Sequence, residues 1–283
     1  MKPKVIAVAG PTASGKTALS IELAKKLGGE IVSADSRLVY KGFDIASAKP
    51  TIEERDGVPH YLIDIVEPEY DYSAGDYVRD AKKAIDDILS RGKTPIVAGG
   101  TGLYFRVLLE HYDLPKVDTD YELRAELEKL SREELLIKIE TKDKATFGTI
   151  KPDTSKRRLI RIMELIETIG KPLSEINTLK EPEYDVEWIM PEIPSREWLY
   201  ERINRRVDLM LEQGIIDETK YLLKKHGRIK NFTETIGYKE ILAYLDGYMT
   251  QEEAVDKLKQ HTRNYAKRQL TWFRRNPNLN INI

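Results

Sequence analysis

Residues 10–17 read GPTASGKT, between the apolar run KVIAVA and the periodic segment ALSIELAKKL. The spacing G-x-x-x-x-G-K-[ST], after a strand-like run and before a helix-like one, is that of a loop that wraps phosphate. Gly10 and Gly15 permit the tight turn, and successive N–H groups at Thr12, Ala13, Ser14 and Gly15 can aim into one anion-binding hollow. Lys16 adds a full positive charge, the helix N-terminus adds its dipole, and the Thr17 hydroxyl can ligate Mg²⁺. A second chemical group follows the run EIVSA: Asp35, at what reads as the carboxyl end of a strand, where a carboxylate can serve as metal ligand, ribose contact, general base or turn-forming side chain. Lys49 in SAKP offers another cation.

One element that nucleotide chemistry ordinarily needs is not evident. Hydrolases and kinases with this loop hold their metal with an Asp at the end of an apolar strand. The candidate here, TPIVAGG, ends in Gly99 and Gly100 and is followed by Thr101. Asp64 lies inside the apolar run YLIDIV, where a structural role is at least as good a reading. A diphosphate carried by something other than a nucleoside therefore becomes a candidate ligand.

The elements that must position these groups are those of a doubly wound α/β sheet. KVIAVAG, EIVSADS, HYLIDIV, TPIVAGG and VEWIMPEI read as strands, separated by amphipathic helices such as AGDYVRDAKKAIDDILSRGK. From about Asp113 to Asp185 the periodicity is helical throughout. This predicts a P-loop, mostly parallel sheet built from 1–113 and 186–283, with an all-helical domain, 114–185, inserted. Cysteine is absent and the four histidines are scattered, which excludes disulfides, thiolate nucleophiles and Cys-based zinc sites. No apolar run approaches a membrane span, and the chain enters its first strand too early for a signal peptide, so the cytoplasm is the expected compartment. Net charge is −1, yet from Lys257 onward there are seven Lys or Arg residues and no acid, and KRRLIR (156–161) is a second basic cluster. Such asymmetry suits a polyanionic partner on one face.

GPTASGKT, IVSADSRLVYKGFDIASAKP, PHYLIDIVEP, VAGGTGLYF, IGYKEI and YAKRQLTWFRR, in this order, resemble the tRNA dimethylallyltransferases in their compact bacterial form. The resemblance runs from near residue 5 to near residue 275. It implies transfer of a dimethylallyl group from dimethylallyl diphosphate to the exocyclic N6 amine of the adenosine 3′ to the anticodon, the loop holding the diphosphate. It makes Asp35 the general base and puts the Thr101 hydroxyl near the reacting centre. It places an arginine of the helix after residue 195 on the diphosphate, with Arg202 favoured over Arg206. The anticodon stem-loop of tRNA would meet Asp35, Ser36, Arg37, Leu38, Thr101 and Arg124. It would also meet Lys156, Arg157, Arg158 and Arg161, then Gly237, Tyr238, Lys267, Arg268, Gln269, Trp272 and Arg274, with Tyr265 or Phe273 as further stacking candidates. A monomer with Mg²⁺ as cofactor is expected. Two departures are visible: Ser47 stands where threonine is expected, and the C-terminal zinc finger of some eukaryotic members is missing. Rival readings are an ATP-dependent small-molecule kinase, a non-catalytic RNA-binding module with a relict loop, and a prenyltransferase acting on free adenine nucleotides.

Overall fold

The computed structural model describes residues 2–110, 112, 115, 117, 120–176, 181–279 and 281. The chain divides into two compact units, Met1–Glu110 with Pro182–Ile283, and His111–Glu181.

In the first unit, β1 (Lys4–Ala9), β2 (Gly29–Ala34), β3 (His60–Tyr61), β4 (Thr94–Gly99) and β5 (Asp185–Ile189) form one sheet in the order β3-β2-β4-β1-β5, every pairing parallel. The runs are short, β-branched and buried on both faces: Val5 to Ala9 are all buried, as are all six residues of β2. That is the pattern of strands covered by helices on each side. The crossovers are α1 (Lys16–Leu27), which packs Ile21 and Ala24 on Ile6, Val8 and Ile31, and α2 (Ala74–Ser90), started by a capping box between Ser73 and Asp76. α3 (Gly102–Leu109) follows β4.

The third strand is far shorter than HYLIDIV suggests. Leu62 and Asp64 adopt φ of 62° and 57°, left-handed values that a pleated strand does not tolerate. The chain then folds back so that Asp64 N–H donates to Leu38 O and Ile65 N–H to Val39 O. Asp64 is thus a loop residue, ion-paired with Lys49.

The second unit contains α4 (Tyr121–Lys129), α5 (Arg132–Lys142), α6 (Lys144–Gly148), α7 (Lys156–Ile169) and a 3-10 turn, with no strand among its described residues. Its core is Leu127, Leu135, Ile139, Leu159, Met163 and Ile166. β5 starts at Asp185 and belongs to the first unit, so the insertion closes a few residues before the boundary drawn at 185. The first unit resumes with α8 (Arg196–Glu212), α9 (Ile215–His226), α10 (Lys230–Thr233), α11 (Tyr238–Leu245) and α12 (Gln251–Phe273). α12 packs against α8 through Ala266 and Leu270 on Leu199 and Ile203.

One buried acid braces the edge of this sheet. Glu30, 1 % exposed, accepts from Arg91 Nη1 at 2.6 Å and Nη2 at 2.7 Å, and from the Tyr61 phenol at 2.7 Å. Hydrogen bonding to Arg91, with Lys93 and Tyr61, lowers its pKa from 4.5 to about 2 against the opposing effect of burial. An acid depressed in this way stabilises the fold fully above its unfolded value of 4.5, and that contribution is lost as pH falls through about 2. Glu30→Gln is expected to cost on the order of 2 kcal/mol at pH 7 and to flatten the pH dependence of the melting temperature between pH 5 and about 2. Equal slopes in the two proteins over that range would contradict the assignment.

Candidate active site

A cavity of about 370 Å³ opens at the carboxyl edge of the sheet. Thr12, Lys16 and Thr17 line one side, Asp35 to Leu38 another, and Arg206, Tyr265 and Arg268 close it from the C-terminal helices. Val207, Met210, Ile236 and Leu258 form an apolar wall.

The phosphate loop is built as its sequence requires. Gly15 has φ 94° at the N-cap of α1, where a side chain would be strained, and Ala13 is left-handed at φ 63°. Lys16 Nζ donates to Pro11 O at 3.2 Å across the loop. Burial, with the Arg206 charge adding to it, lowers the Lys16 pKa to about 8, and Asp35 partly offsets the shift. The Ser14 hydroxyl is buried against Gly10 and has no hydrogen-bond partner among the described residues.

Asp35 continues β2 into the cavity and its Oδ1 accepts the Arg37 N–H at 2.8 Å. The turn reading and the cavity reading of Asp35 both hold, because one oxygen makes the turn and the residue still lines the site. Thr101 starts α3 without a side-chain cap; its Oγ1 accepts the Ser36 N–H at 3.1 Å and so fixes the backbone beside Asp35. Burial, then the Asp35 carboxylate, raises the Tyr265 phenol above its ordinary range, with the Thr101 hydroxyl opposing.

Of the two candidate arginines on α8, Arg206 lines the cavity and Arg202 does not. Arg206 Nη1 donates to Thr12 Oγ1 at 2.9 Å, whereas exposed Arg202 donates through Nε to Ala13 O at 2.8 Å and stacks on Trp198. Arg202 therefore braces the outside of the loop, and Arg206 is the cation facing an occupant. This reverses the preference read from sequence. Lys49 also departs from expectation. Its side chain is 5 % exposed and is committed to Asp44 at 2.6 Å, to Asp64 and to Tyr40 O at 3.1 Å, so its charge is spent inside the 40–64 loop and does not face the cavity.

The groups anticipated for RNA sort similarly. Ser36, Arg37 and Leu38 line the cavity, and Lys267 and Arg268 are exposed on α12 with Arg274 just beyond it. Lys156, Arg157 and Arg158 are exposed on the first turn of α7; Arg161 is half-buried and, like Arg124, bonds the buried Glu164. Trp272 is half-buried over Gly102, where a Cβ would come within 2.1 Å of the indole. Gly237 and Tyr238 are buried and cannot face a macromolecule: Gly237 packs on Ala46, and the Tyr238 phenol donates to Glu218 at 2.7 Å. Gln269, 5 % exposed, is likewise internal. Tyr238→Phe is expected to lose about 1 kcal/mol, a drop of a few degrees in melting temperature, and to leave RNA affinity within twofold. A tenfold loss of RNA binding at unchanged melting temperature would restore a contact role.

Glu218 was not among the residues singled out. It accepts the N–H groups of Ile45, at 2.8 Å, and Ala46, at 3.2 Å, besides the Tyr238 phenol, tying the 43–50 loop to α9. No local motif marks a residue whose backbone partners, Ile45 and Ala46, lie 173 and 172 positions away.

Thr17, Ser33 and Asp35 bring oxygen donors to the cavity, while the His60 ring, which also lines it, has its Nδ1 on Val58 O at 2.8 Å. Thr17 and Asp35 line it, and the Ser33 hydroxyl between them is buried with no partner among the described residues. Such a set suits a hard divalent cation completed by ligand phosphates, and among the described residues no cluster of three His, Cys, Asp or Glu side chains offers a protein-only site. No described helix is long and apolar enough to cross a membrane.

Comparison with known proteins agrees with this geometry. The IPP transferase family matches residues 38–276. A tRNA dimethylallyltransferase of Streptococcus pneumoniae is 48% identical over 97% of this chain and 90% of its own, and that of Bacillus subtilis is 43% identical over 96% and 88%. Among solved structures, a tRNA isopentenylpyrophosphate transferase of Staphylococcus epidermidis superposes with a TM-score of 0.70 at 43% identity, covering 99% of this chain and 92% of that one. A eukaryotic dimethylallyltransferase acting on tRNA reaches 0.81 at 31% identity, over 96% of this chain and 70% of that one. With its phosphate loop, its strand-end carboxylate and these relatives along nearly its whole length, the chain belongs to the IPP transferase family.

Proposed function

We propose that this enzyme prenylates tRNA, moving a dimethylallyl group from dimethylallyl diphosphate to the N6 amine of an adenosine and releasing diphosphate. The observation that carries the reading is a single cavity in which phosphate-binding groups, a carboxylate and an apolar wall converge. Thr12, Lys16 and Arg206 hold the diphosphate, while Val207, Met210, Ile236 and Leu258 receive the five-carbon chain. Adenine's exocyclic nitrogen is a poor nucleophile, since its lone pair is delocalised into the ring. Asp35 takes its proton as the new C–N bond forms, and the loop N–H groups, Lys16 and Arg206 stabilise the charge on the departing diphosphate. Thr17 would hold Mg²⁺ there, and the ion when bound would offset the negative charge that builds on the leaving diphosphate. Because the carboxylate lies within a cavity, the target base must leave its stack to reach it.

The acceptor is the adenosine 3′ to the anticodon, presented by an anticodon stem-loop that docks on exposed Lys267, Arg268 and Arg274. The enzyme works as a monomer in the cytoplasm. The test incubates the protein with Mg²⁺, dimethylallyl diphosphate and unmodified tRNA, with AMP and ATP as competing acceptors, and follows digestion of the RNA by mass spectrometry. N6-dimethylallyladenosine at that position supports the reading. Prenylation of free nucleotide alone, or ATP consumption without prenyl transfer, refutes it.

A further inference from the structure

Gln269 lies on the basic segment of α12, between exposed Arg268 and half-buried Trp272, yet its amide points inward. Its Oε1 accepts the Thr12 N–H at 2.8 Å, and its Nε2 donates to Gly100 O at 2.8 Å. One buried amide thus joins the phosphate loop to the turn after β4, elements 88 or more positions apart in the chain. Thr12 in turn receives Arg206 through its hydroxyl. The fit is close: a Cβ on Gly100 would stand 2.2 Å from Gln269 Nε2, so that position must be glycine for the amide to reach the carbonyl.

An amide meets both demands, an acceptor for an N–H and a donor for a carbonyl, from a single planar group and without a change of protonation. Thr12 lines the cavity, and its backbone N–H is held by Gln269. We infer that Gln269 is a positioning residue for the diphosphate: it fixes the Thr12 backbone, and through it the Thr12 hydroxyl that orients Arg206, from the helix that carries the basic surface. The inference rests on the proposed use of the cavity as a diphosphate site. It replaces a nucleic-acid contact with a role on the opposite side of α12.

The experiment titrates inorganic diphosphate with Mg²⁺ by calorimetry, and separately measures tRNA affinity by filter binding, for the wild type, Gln269→Leu and Gln269→Glu. Leu keeps the volume and removes both hydrogen bonds; diphosphate binding is expected to weaken about tenfold while tRNA binding stays within twofold. Glu keeps the acceptor for Thr12 but, when ionised, sets a carboxylate against the Gly100 carbonyl. Its diphosphate affinity, taken as a ratio to wild type at each pH, is expected to recover as pH falls from 8 to 5.5, because the protonated acid regains a donor. If Leu does not fold, the pH recovery of the Glu variant decides alone. Unchanged diphosphate binding in both variants, loss of tRNA binding only, or a pH-independent defect in the Glu variant overturns the inference. A wild type that binds no diphosphate overturns the reading of the cavity itself.

Discussion

Asp35→Asn is expected to lower single-turnover prenyl transfer by roughly 10²–10⁴-fold, the range of a lost general base, while diphosphate still binds. The substitution isolates the proton. Asn retains an oxygen for the Arg37 N–H, so the turn after β2 survives and the side chain still fills its place in the wall. What disappears is the capacity to accept a proton from the adenine amine as the C–N bond forms. Mass-spectrometric quantification of modified adenosine in rapidly quenched reactions measures it. A loss of less than about threefold would mean that another group, or solvent, takes the proton, and would remove Asp35 from the mechanism. Loss of diphosphate binding of the same size would instead make Asp35 part of the phosphate or metal site.

The second large effect concerns charge at the leaving group. Arg206→Gln is expected to weaken diphosphate binding and slow transfer by about 10²-fold, the scale of one lost electrostatic stabiliser, and Arg202→Gln by far less, because Arg202 touches only the outer face of the loop. The pH profile separates Arg206 from a merely structural group. Lys16 has its pKa lowered to about 8, by burial first and by the Arg206 charge second. The free enzyme therefore presents a cationic Lys16 below about 8 and loses it as pH rises, so diphosphate affinity falls above that value. Removing Arg206 takes away one of the two causes, so the Lys16 pKa moves back up and the alkaline fall comes later, even as overall affinity drops. Calorimetric titration of diphosphate between pH 7 and 10 reads both changes. A variant whose fall begins at the wild-type pH would mean that the two cations do not sense each other.

How much of this could be read from the chain depends on how local each feature is. The phosphate loop, Asp35 and four of the five strands announce themselves within eight or so residues, and the structure has them where those patterns put them. The third strand was overread because nothing in YLIDIV advertises that Leu62 and Asp64 turn left-handed; glycine or asparagine would have marked such a bend. α9 follows α8 across a corner of two residues, Gln213 and Gly214, the glycine left-handed at φ 93°. The larger errors concern direction. Arg202, Arg206 and Gln269 lie on helices whose sequences say which residues share a face, but not whether that face meets the loop or solvent. Tyr238 looked like a stacking ring, and it is one, inside the protein, with its ring centroid 5.0 Å from that of Phe43. Lys49 looked like a free cation because its two acids, five and fifteen positions away, follow no helical or strand spacing.

The order of the sheet has one more consequence. β1, which delivers the phosphate loop, and β2, which delivers Asp35, are not neighbours; β4 lies between them. At its end β4 is Gly99, where even a methyl group would come within 2.1 Å of the Ala34 carbonyl, so the middle strand brings only Ala98 and this glycine to the cavity. The strands that carry Asp35 and the phosphate loop thereby lie two interstrand spacings apart, roughly 10 Å, a gap ruled by backbone hydrogen bonds. Reagents of any other size would need a different sheet. The dimension that most constrains what can react here lies in the main chain, beyond the reach of ordinary side-chain substitution.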